Sequence, residues 1–286
     1  MNMNALTVLL FSSLLFLFVF IRKFWRSRDI LSSGGIALGF WITSMVGGGY
    51  MSSYINSPDR VKEKIEFSLR DNPAYQAFKK TDLPTYEVML SVLTAQAIDQ
   101  KISIESPRWH KYVQYELSRQ MDSYWNQADT QAIFEYVDVL LAKLRVLQER
   151  DSTVCYAYLY DAEKRGGGID SRYFSKTLMN SETQAIAAVI YSAKQSGQAK
   201  LIPDRNAELR IFLPIMNKLD IEFGEDAQML RTPYAEEVNP DRMCRITTRL
   251  LELTRDLPEA DSSAAFGLML AQPMRYSLFP FPYLKL

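Results

Sequence analysis

Histidine occurs once in 286 residues, as His110, and cysteine twice, as Cys155 and Cys244. A structural zinc site usually takes four Cys or His ligands, so three widely spaced ones argue against it, and any histidine triad or general base has to use His110. A basic surplus is missing as well, since 33 Lys and Arg balance 33 Asp and Glu. Four basic residues and one acidic residue fall within 1–58, leaving 29 basic and 32 acidic beyond, which is the wrong sign for a nucleic-acid face. No period-two alternation runs for long enough to suggest a sheet, and there is neither an internal repeat nor a low-complexity tract. The glycine cluster Gly166, Gly167 and Gly168 lacks the Lys and Ser/Thr that a phosphate loop requires, because Ile169 and Asp170 follow it; it reads as a helix stop. Asp220, Glu222, Glu225 and Asp226 surround Gly224, but counted from Asp220 the glycine is fifth and the twelfth residue is Arg231, which is not a calcium loop. Nothing in the sequence calls for a cofactor or a metal.

What is present begins with an apolar run over residues 5–21, followed by Arg22, Lys23, Arg26 and Arg28, then a second run without charge over 30–58. A span needs about 20 apolar residues and tolerates roughly 17. The first run therefore reads as an uncleaved membrane helix rather than a signal peptide, because no basic residue precedes it and no small-x-small cleavage site follows. The second, at about 30–55, is glycine-rich. Its Gly35 and Gly39 have the G-x-x-x-G spacing that lets another helix approach closely in lipid. A flexible linker or re-entrant segment is the other reading of this run. Residues 1–57 are thus expected to anchor the chain in the inner membrane of a bacterial-type envelope, by one helix or a helical hairpin. The basic patch stays cytoplasmic by the positive-inside rule. If both runs span, residues 58–286 lie outside the cytoplasm, as in a periplasm; if only the first does, they are cytoplasmic.

Beyond Pro58 the pattern is helical, and the fold class expected is all-α. Ser57 before Pro58, Ser106 before Pro107 and Asn239 before Pro240 announce helix starts, and Ser181 with Gln184 has capping-box spacing. Helices are expected over 58–70, 84–101, 107–125, 130–150, 152–165, 181–196, 205–222 with a break or kink at Pro214, 240–256 and 259–271. The glycines at 166–168 are a point at which the domain divides, near 166–170, into two subdomains. Within 130–150, Ile133, Val137, Leu140, Leu141, Leu144 and Leu147 form one apolar stripe, while Asp138, Lys143, Arg145 and Glu149 are assigned to a wet face.

Candidate functional residues are few. Arg242, Arg245 and Arg249 line one face of the helix after Asn239 and suit an anion or an acidic partner, with an ion pair to Glu252 as the alternative. Cys155 and Cys244 are a disulfide pair in an oxidising compartment and buried thiols in a reducing one. The C-terminal Phe279, Phe281 and Tyr283 alternate with prolines, which forbid helix; they pack across the domain or dock in a partner groove. His110, beside Trp109, sits on an ordinary amphipathic helix. The functional expectation is a non-catalytic, membrane-anchored helical interaction module, either a component of an envelope machine or an immunity-type binder, with a protein partner and no nucleic acid. A membrane-bound hydrolase assembled only in the fold and a ligand-binding sensor are the alternatives.

Overall fold

Short polar side chains placed before prolines and apolar stripes set the helix starts, and the computed structural model describes residues 57–160, 171–196, 205–235 and 237–271. Every regular element among them is helical and none is a strand. No helix of the described residues is long and apolar enough to cross a membrane. The runs at 5–21 and 30–55, with Gly35 and Gly39, lie outside the described residues, as does the glycine break at 166–168. The described residues from Lys62 onward belong to one compact unit.

Pro58–Leu69 is α1, and Pro73–Thr81 is α2. Asn72 starts α2: its side-chain oxygen accepts from the backbone N–H of Ala74 at 3.0 Å and of Tyr75 at 3.4 Å, with Pro73 occupying the first turn. Asp82 closes α2 through its backbone N–H to Phe78 O at 2.7 Å and opens α3, Leu83–Asp99, by accepting from Thr85 N at 3.3 Å. The end of α3 is a Schellman turn, in which Ile102 N donates to Ala97 O at 3.2 Å. Lys101 holds the left-handed position at φ 51°, where glycine is usual. The helix therefore stops at Asp99, short of the expected residue 101.

Pro107–Gln120 is α4, capped by Ser106, whose Oγ accepts from Trp109 N at 3.1 Å. The expected helix to residue 125 is interrupted at buried Met121, and a single turn, α5 (Asp122–Trp125), follows. Thr130–Arg150 is α6, with the expected bounds, started by Asp129 accepting from Ala132 N at 2.7 Å. Ser152–Tyr160 is α7. A 3-10 turn at Ser171–Tyr173 precedes α8, Lys176–Ser196. This corrects the capping box at Ser181, which lies inside the helix. The cap is Ser175, whose Oγ accepts from Leu178 N at 3.1 Å. Arg205–Phe223 is α9 and runs through Pro214, so of the break or kink expected at that residue the break is absent. A 3-10 segment, Gly224–Arg231, joins it to α10, Pro240–Arg255, capped by Asn239; α11 is Glu259–Ala271.

Two helices organise the core. α6 packs against α7, α8, α10 and α11, while α10 packs against α6, α7, α9 and α11. α8 covers α2 and α6. Helices from both sides of 161–170 therefore interleave. Aromatic rings fill the joints: Phe78 meets Tyr124 edge-on at 5.2 Å, Trp125 lies 4.6 Å from Tyr136, and Phe134 meets Phe266 at 6.4 Å. Each such pair adds roughly 0.5–1.5 kcal/mol beyond area burial.

Candidate functional site

The arginine face of α10 is built by a three- and four-residue step and then consumed by its neighbours. Arg249 donates Nε and Nη2 to the two oxygens of Glu222, each at 2.8 Å, and lies 3.6 Å from Glu252. Arg242 pairs with Asp226, and Arg245 with Asp241 at 3.1 Å one turn back. Arg145 of α6 reaches the same Glu252 at 2.8 Å. The hydrogen bond from Arg249 holds the Glu222 carboxyl below its ordinary pKa, against the raising effect of burial. The basic row and the acidic cluster after residue 220, read separately in the sequence, are therefore largely partners of each other. A bidentate Arg–carboxylate pair is geometrically specific, but at this exposure each contact contributes at most about 1 kcal/mol.

Cys155 of α7 and Cys244 of α10 are joined as a disulfide, with Cα atoms 5.9 Å apart and both side chains fully buried. The surroundings are polar-aromatic: the Tyr160 hydroxyl shares a hydrogen bond with Thr247 at 2.6 Å, Tyr156 donates to Pro233 O at 2.6 Å, and Gln148 of α6 donates to Cys244 O at 3.3 Å.

His110 is exposed in the first turn of α4, its Nδ1 3.0 Å from Ser106 O, and the stripe beneath it places Trp109, Leu117 and Met121 in the core. That contact is with a backbone carbonyl of the same helix turn. Among the described residues no group of three or more His, Cys, Asp or Glu is placed to hold a metal ion. Phe279, Phe281 and Tyr283 lie outside the described residues.

Lys143 is the residue that periodicity misplaced. It is 2% exposed, not on a wet face. Its ammonium lies 2.5 Å from Glu182 of α8, 4.7 Å from the Tyr158 ring and 4.4 Å from the Phe174 ring. Tyr158 donates to the same carboxylate at 3.4 Å; burial first, then the Glu182 charge, hold its phenol above the ordinary range, so it remains a donor. The sequence carried a signal for this. Tyr136, Leu140, Lys143 and Leu147 step by four, three and four, and all four are buried, so the lysine lies on an apolar row. A second polar joint ties α2 and α3 to α8: Asp82 accepts from Lys194 at 2.7 Å and from the Tyr124 hydroxyl at 2.5 Å. Both clusters close on themselves, charge against counter-charge with aromatic walls, as internal ties between helices.

The chain matches no protein-family model, and neither a curated protein nor a solved structure is significantly similar to it.

Proposed function

We propose that the chain is a non-catalytic, membrane-anchored helical interaction module of a bacterial-type envelope, with residues 58–286 on the oxidising, extracytoplasmic side. The Cys155–Cys244 disulfide carries this reading. Such bonds persist in secreted and periplasmic proteins and are rare where glutathione and thioredoxin keep thiols reduced. An extracytoplasmic domain in turn requires the run at 30–55 to cross the bilayer, which makes the anchor a hairpin with Arg22, Lys23, Arg26 and Arg28 in its cytoplasmic turn. The interaction role is supported by the way the candidate chemistry is used: the arginine row, Lys143 and Asp82 all have carboxylate or ammonium partners inside the domain. A reporter active only outside the cytoplasm, fused after Leu286, should be active, and detergent-solubilised membranes should yield the chain in a stoichiometric complex. An inactive reporter removes the placement. Repeated purification of the chain alone removes the interaction role.

A further inference from the structure

Cys155 and Cys244 are the two cysteines of the chain, so a single pairing is possible and no reshuffling is needed to reach it. What the fold restricts is when the bond forms. Both residues are 0% exposed, Cys155 on α7 and Cys244 on α10, a helix packed against α6, α7, α9 and α11. The Tyr160 hydroxyl ties α7 to Thr247, about one turn beyond Cys244, at 2.6 Å. An oxidant therefore has to reach the thiols before α7 and α10 dock. At about 5–20 residues per second of synthesis, the 89 positions between the cysteines keep Cys155 waiting roughly 4–18 s for its partner. α11, which packs on α10, is complete at Ala271, roughly 1–5 s after Cys244 at the same pace. Helical contacts then form in about microseconds to milliseconds, whereas thiol oxidation takes seconds to hours according to the oxidant. A slow oxidant loses that race.

We infer that the chain is a substrate of an envelope dithiol oxidase, an enzyme carrying a reactive disulfide, with Cys155 taking the mixed disulfide and Cys244 resolving it. This rests on the extracytoplasmic placement proposed above. In the first step the Cys155 thiolate attacks one sulfur of the enzyme's disulfide, that S–S bond breaks, and the enzyme's other sulfur leaves as a thiolate. In the second the Cys244 thiolate attacks the Cys155 sulfur, the Cys155–Cys244 bond forms, and the enzyme departs as a dithiol carrying the two electrons and two protons of the chain's thiols. Chain order and charge assign the roles. Cys155 emerges first and has no charged residue within three positions on either side. Cys244 stands between Arg242 and Arg245, with Asp241 the one acid at that range, and cations beside a thiol raise its thiolate fraction. Once the domain is folded, Arg242 pairs with Asp226 and Arg245 with Asp241, so their help to the thiol belongs to the chain that has not yet packed. A low-molecular-weight disulfide offers the same exchange chemistry without an enzyme.

The test pulse-labels the full chain in cells that have, or lack, their envelope thiol oxidase. Samples are quenched in acid, denatured, alkylated with a mass-adding maleimide and separated without reductant. Closure of the Cys155–Cys244 bond should be at least tenfold slower without the oxidase. Cys244→Ser should accumulate a reductant-sensitive adduct joining Cys155 to a second polypeptide, which peptide mapping should identify as a protein with a cysteine pair. Cys155→Ser should give at least fivefold less of it. The adduct forms on the unpacked chain, so a variant that fails to fold still gives the readout. Equal closure rates in the two hosts overturn the inference, as do equal adduct yields from the two variants or an adduct carrying only a small thiol. In each of those cases an active reporter after Leu286 leaves the placement standing. Two free thiols in the wild type with an inactive reporter remove the placement and the inference together.

Discussion

At the scale of single residues the domain's interior is held by charge placed where apolar packing would ordinarily serve. Lys143 and Glu182 are both largely removed from water, at 3% and 14% side-chain exposure. Breaking such a pair by deleting one partner leaves the other charge without compensation, typically at about 3–5 kcal/mol, whereas replacing both with apolar groups is often near neutral. Lys143→Met should therefore cost about 3 kcal/mol or more in denaturant unfolding, and Lys143→Met with Glu182→Leu should cost less than the single change. A double variant no more stable than the single one would show that the pair is not the source. Asp82 gives a prediction in pH. Burial raises its pKa, but the Lys194 and Tyr124 hydrogen bonds more than offset that and bring it from 3.8 down to about 2. A folded-state pKa below the unfolded one means stability is fully present above about pH 4 and is lost as pH falls toward 2. Asp82→Asn keeps the size and capping ability of the side chain but not the titration. Its stability difference from the wild type should shrink steadily between pH 5 and about 2.

At the scale of elements, α8 offers the sharpest test, because two serines compete for the role of its cap. Ser175 Oγ receives Leu178 N at 3.1 Å, while Ser181 lies one and a half turns inside the helix. Losing an N-cap costs about 1 kcal/mol, so Ser175→Ala should destabilise by that amount and Ser181→Ala by a few tenths at most. Equal effects would contradict the observed start. The expected boundary was late because Ser181 and Gln184 satisfy a spacing rule that any helix interior can satisfy by chance, and a spacing rule cannot see what precedes it. The opposite failure hid α2. Asn72 followed by Pro73 is the same signal that marks α10, yet nine residues gave too short a period to read as a helix. Thr130–Arg150 is legible to its ends because Asp129 caps it and its apolar row, Ile133 to Leu147, runs for about four turns. What periodicity could not supply was the identity of the neighbours. α6 is buried on several sides, so Lys143 on its flank meets Glu182 rather than water. The acidic residues after 220 and the arginines of α10 likewise become partners only once α9 and α10 lie side by side.

At the scale of the whole molecule, the disulfide links cysteine chemistry to membrane topology. Cys155 and Cys244 are 89 positions apart, and closing a loop of that length in the unfolded chain corresponds to about 4–5 kcal/mol of stabilisation by the chain-entropy argument. Both cysteines are fully buried, so the bond has to form while the domain folds, and under the placement proposed above it forms outside the cytoplasm. If the run at 30–55 spans, the four basic residues between the runs are what hold the hairpin's turn on the cytoplasmic side, since Lys and Arg near span ends set orientation and acidic residues contribute little. Replacing Arg22, Lys23, Arg26 and Arg28 with Gln should then leave a substantial fraction of chains with the domain inside the cell. In that fraction Cys155 and Cys244 should alkylate as free thiols after denaturation, and the domain should melt at lower denaturant, while in the wild type the two are recovered as one linked peptide under non-reducing digestion. The thiol state and the position of a reporter after Leu286 should change together across such variants. A domain that keeps its disulfide while the reporter moves inside would separate the bond from the compartment and undo the placement.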